Sequence, residues 1–191
     1  MNAPNLLTVM RIVLTVFFVF ALYQNGLGAK ALALFFFTLA VLTDFYDGYL
    51  ARKYNLISAF GKIMDPIADK FLMLSAFFVF MQMHIIAVWM FIVICAREAA
   101  VTGLRLWAKK KGVTLAAEKA GKVKTILQIV AVYLIMIFII AAQSSVHAQW
   151  YANLLSLGIK GIYVFMMGVV FVTIWSGLSF IGNNRKDIFG V

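Results

Sequence analysis

Acidic residues are scarce: seven Asp and Glu stand against 17 Lys and Arg in 191 residues, and four of the seven are Asp44, Asp47, Asp65 and Asp69. With a single cysteine, Cys95, the chain cannot form an internal disulfide, and its place inside an apolar run reads as that of a small buried residue. The two histidines, His84 and His147, stand alone in separate short polar segments. That arrangement reads as solvated loop residues and argues against a zinc site, which is usually built from Cys and His together. Internal repeats, low-complexity tracts and long Gly/Ser linkers are absent, and the N-terminal apolar stretch has neither the basic leader nor the small-residue cleavage site of a signal peptide. Charge of either sign is sparse at 13%. A net charge of +10 invites a nucleic-acid reading, but such binding needs a soluble, groove-sized basic face that this chain does not offer.

What fills the chain is apolar. Sixty-four per cent of it is hydrophobic and mean hydropathy is +0.98, more than a water-soluble fold of this length can bury. At roughly 20 residues per crossing the length suits six spans in one membrane domain covering 1–191. The spans are predicted at Leu6–Tyr23, Lys30–Ala51, Gly61–Met81, Ile85–Trp107, Val123–Ala142 and Ala152–Ile181. The intervening segments Gln24–Ala29, Gln82–His84 and Gln143–Tyr151 lack Lys and Arg, whereas Arg52–Phe60 and Ala108–Lys122 are basic, so both termini are expected in the cytoplasm. Phe71–Ala96 is uncharged over too great a length for one span and predicts a hairpin near His84. Trp89, Trp107, Trp150 and Tyr151 suit interfacial anchors, and the Phe residues suit packing and lipid contact.

A carboxylate within a span is costly, and four together repel one another unless cations neutralise them. Asp44 and Asp47 are three apart, with Gly48 and Ala51 at offsets of four and seven from Asp44, so all four share one helical stripe. Asp65 and Asp69 are four apart on the next span. Consecutive spans joined by a short basic loop bring their cytoplasmic ends together. Oxygen-only ligation suits Mg²⁺ or Mn²⁺, and four carboxylates are better used by two ions about 4 Å apart, the arrangement of a two-metal clamp for displacement at phosphorus. The alternative is salt bridging to Arg52, Lys53, Lys62 and Lys70, which does not require four acids on two stripes.

The run Asp44-Phe-Tyr-Asp47-Gly48-Tyr-Leu-Ala51-Arg52, then eight residues, then Gly61-Lys-Ile-Met-Asp65-Pro-Ile-Ala-Asp69, resembles the signature of the CDP-alcohol phosphotransferases at every defining position. The resemblance implies an all-α membrane fold of six transmembrane helices, a homodimer, and a reaction in which an alcohol displaces CMP from a CDP-linked donor. Pro4-Asn5-Leu-Leu-Thr8-Val-Met-Arg11, Ala96-Arg97-Glu98-Ala-Ala-Val-Thr102-Gly103-Leu-Arg105 and Gly121-Lys122-Val-Lys124-Thr125 are similar to bacterial members that use CDP-diacylglycerol as donor and glycerol 3-phosphate as acceptor. For such members the expected location is the bacterial cytoplasmic membrane, with the site on the cytoplasmic face.

By that likeness, Asp44, Asp47, Asp65 and Asp69 hold two divalent cations, Mg²⁺ or Mn²⁺, and Asp69 is also the candidate general base. Gly48 serves close approach of the nucleotide, close helix packing, or both. Arg52 is a donor-phosphate ligand or a cytoplasmic anchor; Asn5, Thr8 and Arg11 are a polar lip near the nucleotide or an interfacial cap. Arg97, Arg105, Lys122 and Lys124 supply cations for glycerol 3-phosphate. Arg97 lies two to three turns inside the fourth span and needs an anion. Glu98, being adjacent, is expected to point elsewhere on the helix, leaving a substrate phosphate as partner. Lys109, Lys110 and Lys111 read as a solvated face against anionic lipid. The same chemistry with serine or an inositol phosphate as acceptor is a second reading. A cation transporter is a reading of another class, opposed by acids at one membrane face and by the lack of broken helices in matching halves.

Overall fold

Long apolar runs leave a backbone with no polar neighbours except itself, and the helix is the local solution that satisfies every amide. The computed structural model describes residues 3–54, 59–111, 115, 119–143 and 149–185; within them, the side chains of 3–7, 47–54, 59–67, 69, 109–110, 119 and 149–152 are outside the description. The described residues form six helices and no strand: α1 (Ala3–Tyr23), α2 (Leu27–Tyr54), α3 (Ala59–Gln82), α4 (Val88–Lys110), α5 (Lys119–Ala142) and α6 (Gln149–Asn183). Among the described residues, three segments are long and apolar enough to cross a membrane: Leu27–Tyr46, Ala120–Ala142 and Asn153–Asn183. Shorter apolar stretches occupy Thr8–Tyr23 and Lys70–Gln82.

Helix ends depart from the predicted spans where basic residues continue a helix beyond its apolar part. Arg52 and Lys53 lie on α2, Lys109 and Lys110 on α4, and Lys122 on α5, not in connecting loops. Lys and Arg are good helix formers, and at the C-terminal ends of α2 and α4 their charge complements the helix dipole. Between α3 and α4, His84 takes φ 58° and its N–H donates to the Met81 carbonyl at 3.0 Å, closing α3 near the predicted turn.

The chain divides into two compact units. The first comprises 1–80 and 136–151. In it α1 packs on α2, with Phe18 against Phe37 and Phe17 against Phe36 at centroid distances of 5.5 and 5.6 Å. Gly26, at φ +101°, makes the short turn between these helices, a conformation that costs a residue with a Cβ. Buried Lys30 donates Nζ to the Leu22 carbonyl and satisfies the end of α1. The second unit comprises 81–135 and 152–191. Its buried stripes are Met90, Ile94, Glu98, Val101 and Ala108 on α4, Lys124, Gln128, Ala131 and Ile135 on α5, and Ile162, Met166, Val169, Thr173, Ser176 and Phe180 on α6. The outward faces carry large apolar residues such as Val164, Phe171 and Leu178, as a surface facing lipid requires.

Candidate active site

In the first unit an arginine has been drawn into the α1–α2 packing. Arg11 is only 1% exposed, and its Nη2 lies 2.6 Å from Asp44 Oδ1. The Asp44 side chain is 48% exposed, so its carboxylate is anchored at one oxygen and open on the other side. Thr8, three residues before Arg11, is fully buried, and Thr15 Oγ donates to the Arg11 carbonyl at 2.8 Å. A buried guanidinium is stable only beside an anion, and the pairing with Asp44 meets that demand. The sequence placed Arg11 in a nucleotide lip and named Arg52, Lys53, Lys62 and Lys70 as possible carboxylate partners. Among the described side chains the partner that Asp44 takes is Arg11; those of Arg52, Lys53 and Lys62 lie outside the description.

The α2 register puts Asp47 and Gly48 within one turn of Asp44. The side chains of Asn5, Asp47, Gly48, Ala51, Arg52, Asp65 and Asp69 lie outside the described residues, so Asp44 alone represents the carboxylate group among the described side chains. Its half-open carboxylate offers an oxygen ligand of the kind a hard divalent cation takes.

The second unit holds a buried ionic cluster. Arg97 Nη1 donates to Glu98 Oε1 at 3.1 Å, and Lys124 Nζ donates to the same oxygen. Glu98 is 8% exposed and Lys124 6%. Arg97 Nη2 donates to Ser176 Oγ at 3.0 Å, and that hydroxyl spends its own proton on the Thr173 carbonyl at 2.9 Å. Arg97 Nε is buried and has no hydrogen-bond partner among the described residues. Here the sequence reading of Glu98 is corrected. Adjacent residues on a helix do point apart at Cβ, but the long arginine arm brings its guanidinium back to the neighbouring carboxylate.

The remaining cations of α4 and α5 fall differently. Arg105 is exposed, and its guanidinium lies over the Phe180 ring, 5.1 Å from the centroid. Lys122 is exposed, two residues from Lys124 and therefore on another face of α5. Lys111 is exposed with Nζ 3.8 Å from the centre of the Trp107 ring, in keeping with a solvated position.

Sequence reasoning missed Glu98 as a partner, and it missed Ser176 and Gly177 altogether. A signal was present. Glu98 continues the Met90, Ile94 spacing of fours, Lys124 and Gln128 begin the α5 stripe, and Thr173 and Ser176 lie within the α6 stripe. Polar residues in register with an apolar stripe on a lipid-embedded helix face protein, where they must find one another.

A family model described as CDP-alcohol phosphatidyltransferase matches residues 1–175. The CDP-diacylglycerol–glycerol-3-phosphate 3-phosphatidyltransferase of Rickettsia felis is 36% identical over 185 residues, covering 97% of this chain and 96% of the relative. The enzyme of the same name from Bacillus subtilis is 41% identical over 143 residues, covering 69% and 74%. A probable phosphatidylglycerophosphate synthase of Mycobacterium tuberculosis is 32% identical over 193 aligned positions, covering 100% and 85%.

Proposed function

The chain belongs to the CDP-alcohol phosphatidyltransferase family, and on that premise we propose that it transfers the phosphatidyl group of CDP-diacylglycerol to glycerol 3-phosphate, yielding phosphatidylglycerophosphate and CMP in phospholipid synthesis. The observation that carries the reading is the intact double-aspartate signature in a chain that shares 32–41% identity with relatives bearing this activity in their names. In our reading residues 1–191 act as one catalytic domain with six spans in the bacterial cytoplasmic membrane, both termini and the site on the cytoplasmic side, working as a homodimer.

Asp44, Asp47, Asp65 and Asp69 would hold two divalent cations, Mg²⁺ or Mn²⁺. Bound there, such ions supply charge neutralisation for the donor's pyrophosphate and for departing CMP. Arg11 aims the Asp44 carboxylate and offsets part of the repulsion among the four acids. Asn5, Thr8, Gly48 and Arg52 belong to the donor's nucleotide and phosphates. Asp69 takes the proton from the attacking hydroxyl of glycerol 3-phosphate, whose oxygen bonds to the phosphorus of the phosphatidyl group as the bond to CMP breaks.

The acceptor carries a phosphate, and Arg97, Arg105, Lys122 and Lys124 are its cations. Arg97 Nε is buried without a hydrogen-bond partner among the described residues and so keeps a donor for an anion. A phosphorylated acceptor complements that donor better than serine does. The test is CMP release from CDP-diacylglycerol with each acceptor offered alone. Release with glycerol 3-phosphate and not with serine or inositol phosphate is expected; preference for either of the others overturns the assignment.

A further inference from the structure

Arg97 extends past α6 at one point, and the sequence of α6 is shaped to it. A Cβ built on Gly177 would lie 3.2 Å from Arg97 Cγ and 3.8 Å from Nε. Elsewhere on this helix, Gly161, Gly168 and Gly182 would meet nothing within 4 Å. Of these four glycines, Gly177 is the one whose missing side chain is occupied by a neighbour. One residue earlier, Ser176 holds the far end of the same arginine. Its hydroxyl proton is committed to the Thr173 carbonyl, which leaves a lone pair to receive Arg97 Nη2.

We propose that Ser176 and Gly177 are positioning residues for the acceptor phosphate: the hydroxyl aims the Arg97 guanidinium, and the missing Cβ leaves room along its Cγ–Nε edge, where Nε is the donor without a partner. The inference rests on the reading of Arg97 as an acceptor cation. With Nη1 on Glu98 and Nη2 on Ser176, the arginine cannot yield the few tenths of an ångström that an added methyl demands without loosening one of those bonds. The methyl would also stand beside Nε, where a phosphate oxygen would approach.

The experiment measures the KM of both substrates and kcat for Gly177→Ala, Ser176→Ala, Arg97→Ala and the double variants that combine Arg97→Ala with each. Gly177→Ala and Ser176→Ala are each expected to raise the KM for glycerol 3-phosphate by roughly two- to tenfold, the range for one lost hydrogen bond. KM for CDP-diacylglycerol and kcat should stay within about twofold, and neither change should add to Arg97→Ala, because both act through that side chain. Ser176→Ala adds no atom, so it reports even where Gly177→Ala fails to fold. If Arg97→Ala raises the acceptor KM while Ser176→Ala and any folded Gly177→Ala do not, or if their effects add in full to it, the positioning role is refuted and the acceptor reading stands. If Arg97→Ala itself leaves the acceptor KM unchanged, both are refuted.

Discussion

Replacing Glu98 by Gln removes one charge from the buried cluster while preserving its volume and one acceptor oxygen. The carboxylate is the partner of two cations that are themselves largely buried, Arg97 at 3.1 Å and Lys124. At an effective permittivity of 20, a unit pair at that separation attracts by about 5 kcal/mol before desolvation is counted. The glutamine dipole keeps part of the hydrogen bonding, so the net loss is set near the low end of the range for breaking a buried pair, about 3 kcal/mol. For a chain of this size that corresponds to a fall in Tm of about 6–12 °C. Thermal unfolding in detergent micelles, followed by tryptophan fluorescence, gives the number. Two further measurements bind it to the cluster. Glutamine at 98 combined with Lys124→Met should recover much of the loss, because one uncompensated cation leaves with the lysine; and inorganic phosphate should raise the Tm of Glu98→Gln more than that of the parent, by replacing the missing anion. A Tm within about 1 °C of the parent would refute the cluster as a source of stability, since the charge term alone exceeds what such a shift represents.

Activity should vanish in excess chelator and return with Mg²⁺ or Mn²⁺, measured as CMP release; turnover in chelator would remove the two-metal reading. Asp69→Asn should lower kcat by roughly 10²–10⁴ with little change in donor KM, whereas Asp65→Asn should weaken metal and donor binding as well, and near-normal kcat for Asp69→Asn at saturating Mg²⁺ would demote Asp69 to a ligand. Arg11→Met keeps bulk but loses the ion pair to half-exposed Asp44, worth about 0.2–1 kcal/mol, so the Mg²⁺ concentration for half-maximal activity should rise by roughly two- to fivefold; an unchanged Mg²⁺ requirement would separate Arg11 from the metal site. Arg105→Ala should raise KM for glycerol 3-phosphate more than that for CDP-diacylglycerol, and a selective loss of donor affinity would reassign Arg105.

Much of the molecule follows from local rules. Hydropathy and the placement of Lys and Arg were enough to predict six helices, because an apolar run of about 20 residues in lipid has no alternative to satisfying its amides within itself. The spacing of Asp44 with Asp47, and of Asp65 with Asp69, marked the family, since i+3 and i+4 neighbours share a helix face whatever the tertiary arrangement. Pairing across helices obeys no such rule. Asp44 pairs with Arg11 of α1, distant in sequence, a partner set by how α1 and α2 pack. Arg97 and Glu98 diverge at Cβ and meet only because the guanidinium folds back, with Ser176 and Gly177 of α6 fixing its course and Lys124 of α5 closing the cluster. A residue number records position along one helix axis; which long polar side chain reaches which partner depends on helix rotation and crossing, and those are decided only when the helices of each unit pack.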